Sequence, residues 1–216
     1  MPINWKVMLS DMLMIAFVVI FPHTGILPMF AYPIFILGIV WIYLKVNRQH
    51  FSNIGFRFKD ISVKSFLYGA FTGLLYAAFA YWLLDPLIGK LGFKPANLSD
   101  FKSLRHHFSN YLFLMVLAWL LVIPYEEIIF RGFILTRIKG WFGGSKYAFT
   151  ISALVTSVLF ALYHCQEGAG AVLQIFIFAL FQVWLYKKFN GNLWYLIFFH
   201  AWYDSFMLTA IYLGYM

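Results

Sequence analysis

The sequence predicts an all-α, polytopic bundle of about seven membrane-spanning helices, and three observations carry that prediction. Of the 216 residues, 63% are hydrophobic and only 11% charged, whereas soluble domains average about 25% charged. The mean hydropathy is +0.79, which leaves too little polar surface to keep the chain in water. The charged residues also leave long uncharged intervals between them, at 12–44, 65–84, 106–125, 147–166 and 168–186, with shorter ones at 189–203 and 205–216.

A span needs about 20 mostly apolar residues, because a hydrocarbon core of about 30 Å is crossed at about 1.5 Å per residue. The apolar runs lack the two-residue alternation of a barrel strand, so they read as helices. The first helix is expected over 7–22. Lys6 and an apolar stretch resemble a secretory signal, but no small-residue cleavage site follows, so this segment is a span. Pro22, Gly25, Pro28 and Pro33 supply a turn near 22–28 before a second helix over 26–46. Further helices are expected over 62–88, 108–138, 147–165, 170–188 and 192–214, and LSDFKSLRHHFSNY at 98–111 reads as an amphipathic interfacial helix. No internal repeat or soluble appendage is visible, so residues 1–216 form one integral-membrane domain.

The net charge of +8 reports orientation rather than nucleic acid. With the N-terminus inside, twelve Lys and Arg residues from Lys6 to Lys188 fall on the cytoplasmic side, and Lys90, Lys94, Lys102 and Arg105 fall outside. Cys165 is the only cysteine, so no internal disulfide or thiolate metal cluster can form. Its neighbour His164 is turned by about 100° along a helix, a poor geometry for a thiol protease. Trp41, Trp82, Trp119, Trp141, Trp184 and Trp194 suit lipid-facing or interfacial positions. Asp11 and Asp85 read as helix-end or interface groups, Glu167 as an outer-loop group, and Gly69, Gly73 and Gly132 as close helix contacts.

Some polar residues interrupt the apolar runs and need a reason. Glu126, Glu127 and Arg131 stand in YEEIIFRG after twenty uncharged residues. A charged residue at mid-membrane costs about 2.5 to 3.5 kcal/mol on insertion scales, and an interhelical hydrogen bond returns only about 0.6 to 2 kcal/mol. Glu127 and Arg131 are four apart and can pair along one helical face. Glu126 is turned about 100° away and is left as the free acid. Phe160 and His164 also share a face, as do His200 and Asp204. In the last pair the carboxylate can accept from the imidazole, or both side chains can point into one cavity. At about 1.5 Å per residue, Glu126 lies about 18 Å from its helix end, His164 about 26 Å, His200 about 12 Å and Asp204 about 18 Å from theirs. Three helices can therefore bring these groups to one level.

E-E-x-x-x-R at 126–131, F-x-x-x-H at 160–164 and H-x-x-x-D at 200–204, in that order, resemble the CPBP intramembrane protease family. That family includes type II CAAX prenyl endopeptidases and bacterial Abi-type proteins. The resemblance covers about residues 108–214, with weaker echoes at NIGFRFKD (53–60) and GNLWYLIFFHAW (191–202). It implies hydrolysis of a peptide bond in a membrane-associated peptide or protein tail, in a bacterial plasma membrane, without a cofactor. By the family pattern Glu126 is the general base, with His164 helping to hold the attacking water. Glu127, Arg131 and Phe160 support them, and His200 with Asp204 stabilises the oxyanion. Ionised Asp cannot donate a hydrogen bond, so Asp204 must be protonated or must orient His200. Two alternatives stay open. Glu126, His164, His200 and Asp204 could ligate zinc in a metalloprotease, although the helical H-E-x-x-H signature is absent. The chain could also be a non-enzymatic immunity or peptide-binding protein using the same pocket.

Overall fold

The computed structural model describes residues 5–216 and contains seven long helical segments. We label them α1 (Trp5–Thr24), α2 (Tyr32–Val46), α3 (Val63–Lys90), α4 (Phe108–Trp141), α5 (Ala148–Tyr163), α6 (Ala169–Lys188) and α7 (Leu193–Leu213). Five of them, all but α2 and α5, are long and apolar enough to cross a membrane. Large apolar side chains such as Leu120, Phe71 and Leu13 point outward, as hydrocarbon solvent requires. Inside, Ile36, Val40 and Leu44 at four-residue spacing bury one face of α2 in the same apolar cluster as Val18 of α1.

Two expected helices differ. The second helix begins at Tyr32 and not at 26. A start at 26 would put Pro33 in the helix interior, where its ring removes a hydrogen bond and clashes with the preceding turn. Instead Pro33 occupies the first turn, and the Pro28 carbonyl closes a separate turn by accepting from the Ala31 N–H at 2.9 Å. The segment 98–111 is not one amphipathic helix. A short 3₁₀ stretch, Ser99–Leu104, ends at Arg105, and His106 turns left-handed at φ 59° before α4 starts. The diversion ties the chain to the end of α7: the His106 N–H donates to the Tyr212 carbonyl at 3.0 Å, and Arg105 Nη2 to the Gly214 carbonyl at 2.9 Å.

Two helices widen locally to π geometry, and both carry a proline. In α3 the wide turn Ala80–Leu84 precedes Pro86; in α4 the wide turn Ala118–Val122 precedes Pro124. Each proline lacks an N–H, and the widened turn reroutes the carbonyls it would leave unpaired. A second π stretch, Glu127–Ile134, is buried along its whole length.

Small residues decide the closest packing. A Cβ added at Gly69 would lie 2.4 Å from the Phe198 Cβ, and one at Gly73 would lie 2.4 Å from the Phe199 carbonyl oxygen. The G-x-x-x-G face of α3 therefore lets α7 approach backbone to backbone. A Cβ added at Gly132 would likewise lie 3.0 Å from the Ile54 carbonyl oxygen. Asp11 is not a helix-end group: it is buried within α1, accepting from the Tyr43 hydroxyl at 2.8 Å and Trp141 Nε1 at 3.0 Å, with Arg137 Nε at 3.8 Å. Trp141 and Trp119, whose Nε1 donates to Ser205 Oγ, accordingly point inward, whereas Trp41, Trp82 and Trp184 are exposed.

Candidate active site

The site is built where α4, α5, α6 and α7 converge. His164 does not lie inside a helix as expected; it caps α5 at its C-terminal end. The four-residue relation to Phe160 survives: the Phe160 carbonyl lies 2.9 Å from His164 Nδ1, and the two rings meet at 4.9 Å. A carbonyl can only accept, so Nδ1 carries the proton and Nε2 presents a lone pair. That Nε2 lies 4.0 Å from Glu126 Oε1.

His200 is gripped from both edges by the adjacent glutamates. Its Nδ1 lies 2.8 Å from Glu127 Oε1, and its Nε2 lies 3.8 Å from Glu126 Oε2 and 3.6 Å from Asp204 Oδ1. The 100° turn expected between the two glutamates separates their contacts only in part. Glu126 reaches His164, but it also shares His200 with Glu127, because both glutamates stand at the start of the buried π stretch of α4. The imidazole is oriented through Nδ1 by Glu127, which leaves Asp204 facing the other ring nitrogen.

Behind the imidazole, Glu127 Oε1 also accepts from Gln182 Nε2 at 2.6 Å and faces Arg131 Nη1 at 3.5 Å. Arg131 is fully buried, and its guanidinium lies 4.0 Å over the Phe160 ring. Phe160 therefore contacts both Arg131 and His164 and fixes their spacing. The sequence reading missed Gln182 and Gln174 on α6; Gln174 Nε2 donates to the Tyr203 hydroxyl at 3.0 Å. Their signal was available: two amides eight residues apart share one face of an otherwise apolar helix. It also missed a tyrosine group beside the site, in which the Tyr163 hydroxyl donates to that of Tyr32 at 3.2 Å.

Glu126, His164, His200 and Asp204 all line a cavity of about 1000 Å³. Its walls include Tyr32 of α2, Asp85 of α3 and Leu98 of the α3–α4 connection, so the first half of the chain completes the enclosure. Glu126 is 6% exposed and makes no hydrogen bond among the described residues. Tetrahedral zinc with bonds of about 2.0 to 2.1 Å sets its donors about 3.3 Å apart. The free Nε2 of His164 would suit a metal, but its distance to Glu126 is 4.0 Å, and those of His200 Nε2 to Glu126 and Asp204 are 3.8 and 3.6 Å. Among the described residues no group of three or more His, Cys, Asp or Glu is placed to hold a metal ion, so the arrangement does not fit one.

The structure is thus a bundle of long apolar helices with carboxylates and imidazoles converging on an internal cavity. Residues 108–206, a little under half of the chain, match the family model described as Type II CAAX prenyl endopeptidase Rce1-like. The match runs from the first residue of α4 into α7 and includes all three motifs. No curated protein and no solved structure matches the chain. The family implies an intramembrane protease of the CAAX type.

Proposed function

We propose that the protein is an endopeptidase that hydrolyses a peptide bond in a membrane-associated peptide or protein tail, with Glu126 as general base. The observation that carries this reading is the 4.0 Å gap between Glu126 Oε1 and His164 Nε2 inside the cavity. A direct hydrogen bond is too short for that gap. Two bonds of about 2.8 Å meeting at about 90 to 100° on a single water span about 4.0 to 4.3 Å.

In this mechanism the water donates one proton toward His164 Nε2 and the other to Glu126. As Glu126 takes that proton, the water oxygen attacks the carbonyl carbon. The oxygen of the resulting tetrahedral species carries the negative charge and faces His200 Nε2, which donates to it as imidazolium, with Asp204 at the same edge. Glu126 then returns its proton to the leaving nitrogen as the C–N bond breaks. Glu127 keeps His200 in place throughout. Gln182 and Arg131 hold Glu127.

We further propose that α2 and α5 also cross the membrane, giving seven crossings. At about 1.5 Å per residue they are only about 22 to 24 Å long, and the short α5 delivers His164 to the depth of the site. The charge asymmetry then sets the N-terminus in the cytoplasm and the cavity mouth on the opposite side of a bacterial plasma membrane.

The test compares peptide termini in membranes and medium from cells making the wild-type protein or Glu126→Gln at equal abundance. Termini found only with wild type support the reading and identify the substrate. Identical termini together with a phenotype that needs the protein would overturn it in favour of peptide sequestration without turnover.

A further inference from the structure

The eight acidic residues divide by location. Asp11, Asp60 and Glu127 each pair with an arginine, namely Arg137, Arg57 and Arg131. The other five, Asp85, Asp100, Glu126, Glu167 and Asp204, all line the one cavity, and among the described residues none of them pairs with a lysine or arginine. Of the 16 Lys and Arg in a chain of net charge +8, only Lys94 borders that cavity.

The five carboxylates come from separate elements: α3, the 3₁₀ stretch after it, α4, the loop between α5 and α6, and α7. Chance clustering along one helix is therefore not their origin. At the floor, Glu126 is more than nine-tenths buried, has no hydrogen-bond partner among the described residues and is aimed into the cavity. At the mouth, burial followed by the Asp204 and Asp100 carboxylates pushes Glu167 up to about 7, so these groups feel one another. Glu126 and Asp204 share the single His200 imidazolium, whereas Asp85, Asp100 and Glu167 have no cationic side chain paired with them among the described residues; carboxylates in this excess between low-dielectric walls focus a negative potential that attracts cations and repels anions.

We infer that the cavity selects peptide segments carrying Lys or Arg close to the scissile bond, and disfavours acidic segments. This deepens the endopeptidase reading and rests on the same cavity being its substrate site. The carboxylates at 85, 100 and 167 act before the chemistry, by drawing a basic side chain into the mouth and seating it beside them. Asp204 and Glu126 remain with the reacting atoms.

The test measures binding separately from cleavage. Eight-residue apolar peptides bearing three Lys, three Glu or neither, with an uncharged fluorophore, are titrated against purified Glu126→Gln protein in detergent. The Lys peptide is expected to bind at least about tenfold tighter than the Glu peptide at low salt, with the gap collapsing at about 1 M salt. In Asp85→Asn/Asp100→Asn/Glu167→Gln on the same background the gap should shrink to about twofold. Single substitutions should each remove part of it, which covers the case where the triple variant does not fold. Equal binding, tighter binding of the Glu peptide, or a gap untouched by these substitutions overturns the inference. A Lys preference in binding with no peptide cleaved by wild-type protein would instead overturn the endopeptidase reading and leave this inference standing.

Discussion

Glu127 Oε1 and His200 Nδ1 lie 2.8 Å apart where the cavity wall meets the fully buried side chains behind it. A carboxylate only accepts, so the bond commits the Nδ1 proton and turns Nε2 toward Glu126 and Asp204. The same oxygen is the only countercharge within 4.0 Å of Arg131 among the described residues. One side chain thus joins the catalytic geometry to the stability of the helix packing.

Glu127→Gln should therefore be costly twice. It leaves the Arg131 charge buried without compensation, which destabilises by about 3 to 5 kcal/mol, and it removes the carboxylate that orients the His200 ring and balances its charge. Thermal unfolding in detergent should show the loss. Glu127→Gln/Arg131→Met should recover much of the stability without recovering activity. A double variant as unstable as the single one would contradict the pairing.

Glu126→Gln should behave oppositely. Among the described residues Glu126 makes no hydrogen bond to lose, so the midpoint of unfolding should hardly move, while turnover falls by about 10² to 10⁴. Side-by-side unfolding and cleavage measurements check both halves.

Packing of α7 against α3 should control activity at a distance. A Cβ at Gly73 would meet the carbonyl of Phe199, the residue before His200, at 2.4 Å. Gly73→Ala should destabilise by about 1 to 3 kcal/mol through overpacking and lower turnover by displacing the imidazole. Gly38→Ala in α2, where nothing lies within 4 Å, should be neutral or slightly stabilising.

Sidedness can be read from the native chain. Cys165 is exposed in the loop after α5, beside His164 at the cavity end. A membrane-impermeant thiol reagent should label it in intact cells. Labelling only after the cells are opened would reverse the proposed orientation.

Glu167, in the same loop, should make stability depend on pH. Its pKa rises from an ordinary 4.5 to about 7, chiefly through burial and then through Asp204 and Asp100. The folded state thus favours the protonated acid. Its contribution is complete below about 4.5 and is lost as pH rises toward 7. The difference in unfolding midpoint between wild type and Glu167→Gln should vary across that window and level off above it.

The sequence by itself determined the solvent of the fold, its helical class and the residues that do not belong in lipid. Hydrocarbon forces every backbone group to pair within its own segment, so long uncharged runs could only become helices, and Glu126, Glu127, Arg131, His164, His200 and Asp204 stood out against them. The four-residue spacings of Glu127 with Arg131 and of Phe160 with His164 were legible for the same reason, since local geometry fixes which side chains share a face. Tertiary structure alone decided what depended on distant partners. Gln182 could be noticed as an amide in an apolar helix, but its partner Glu127, 55 residues away, could not, and no local spacing could bring His200 between two glutamates 73 and 74 positions away. The start of α2 and the break at His106 were set by proline sterics and by bonds to the end of α7. The carboxylates of the cavity arise from separate elements, so their shared field exists only once the helices are packed together.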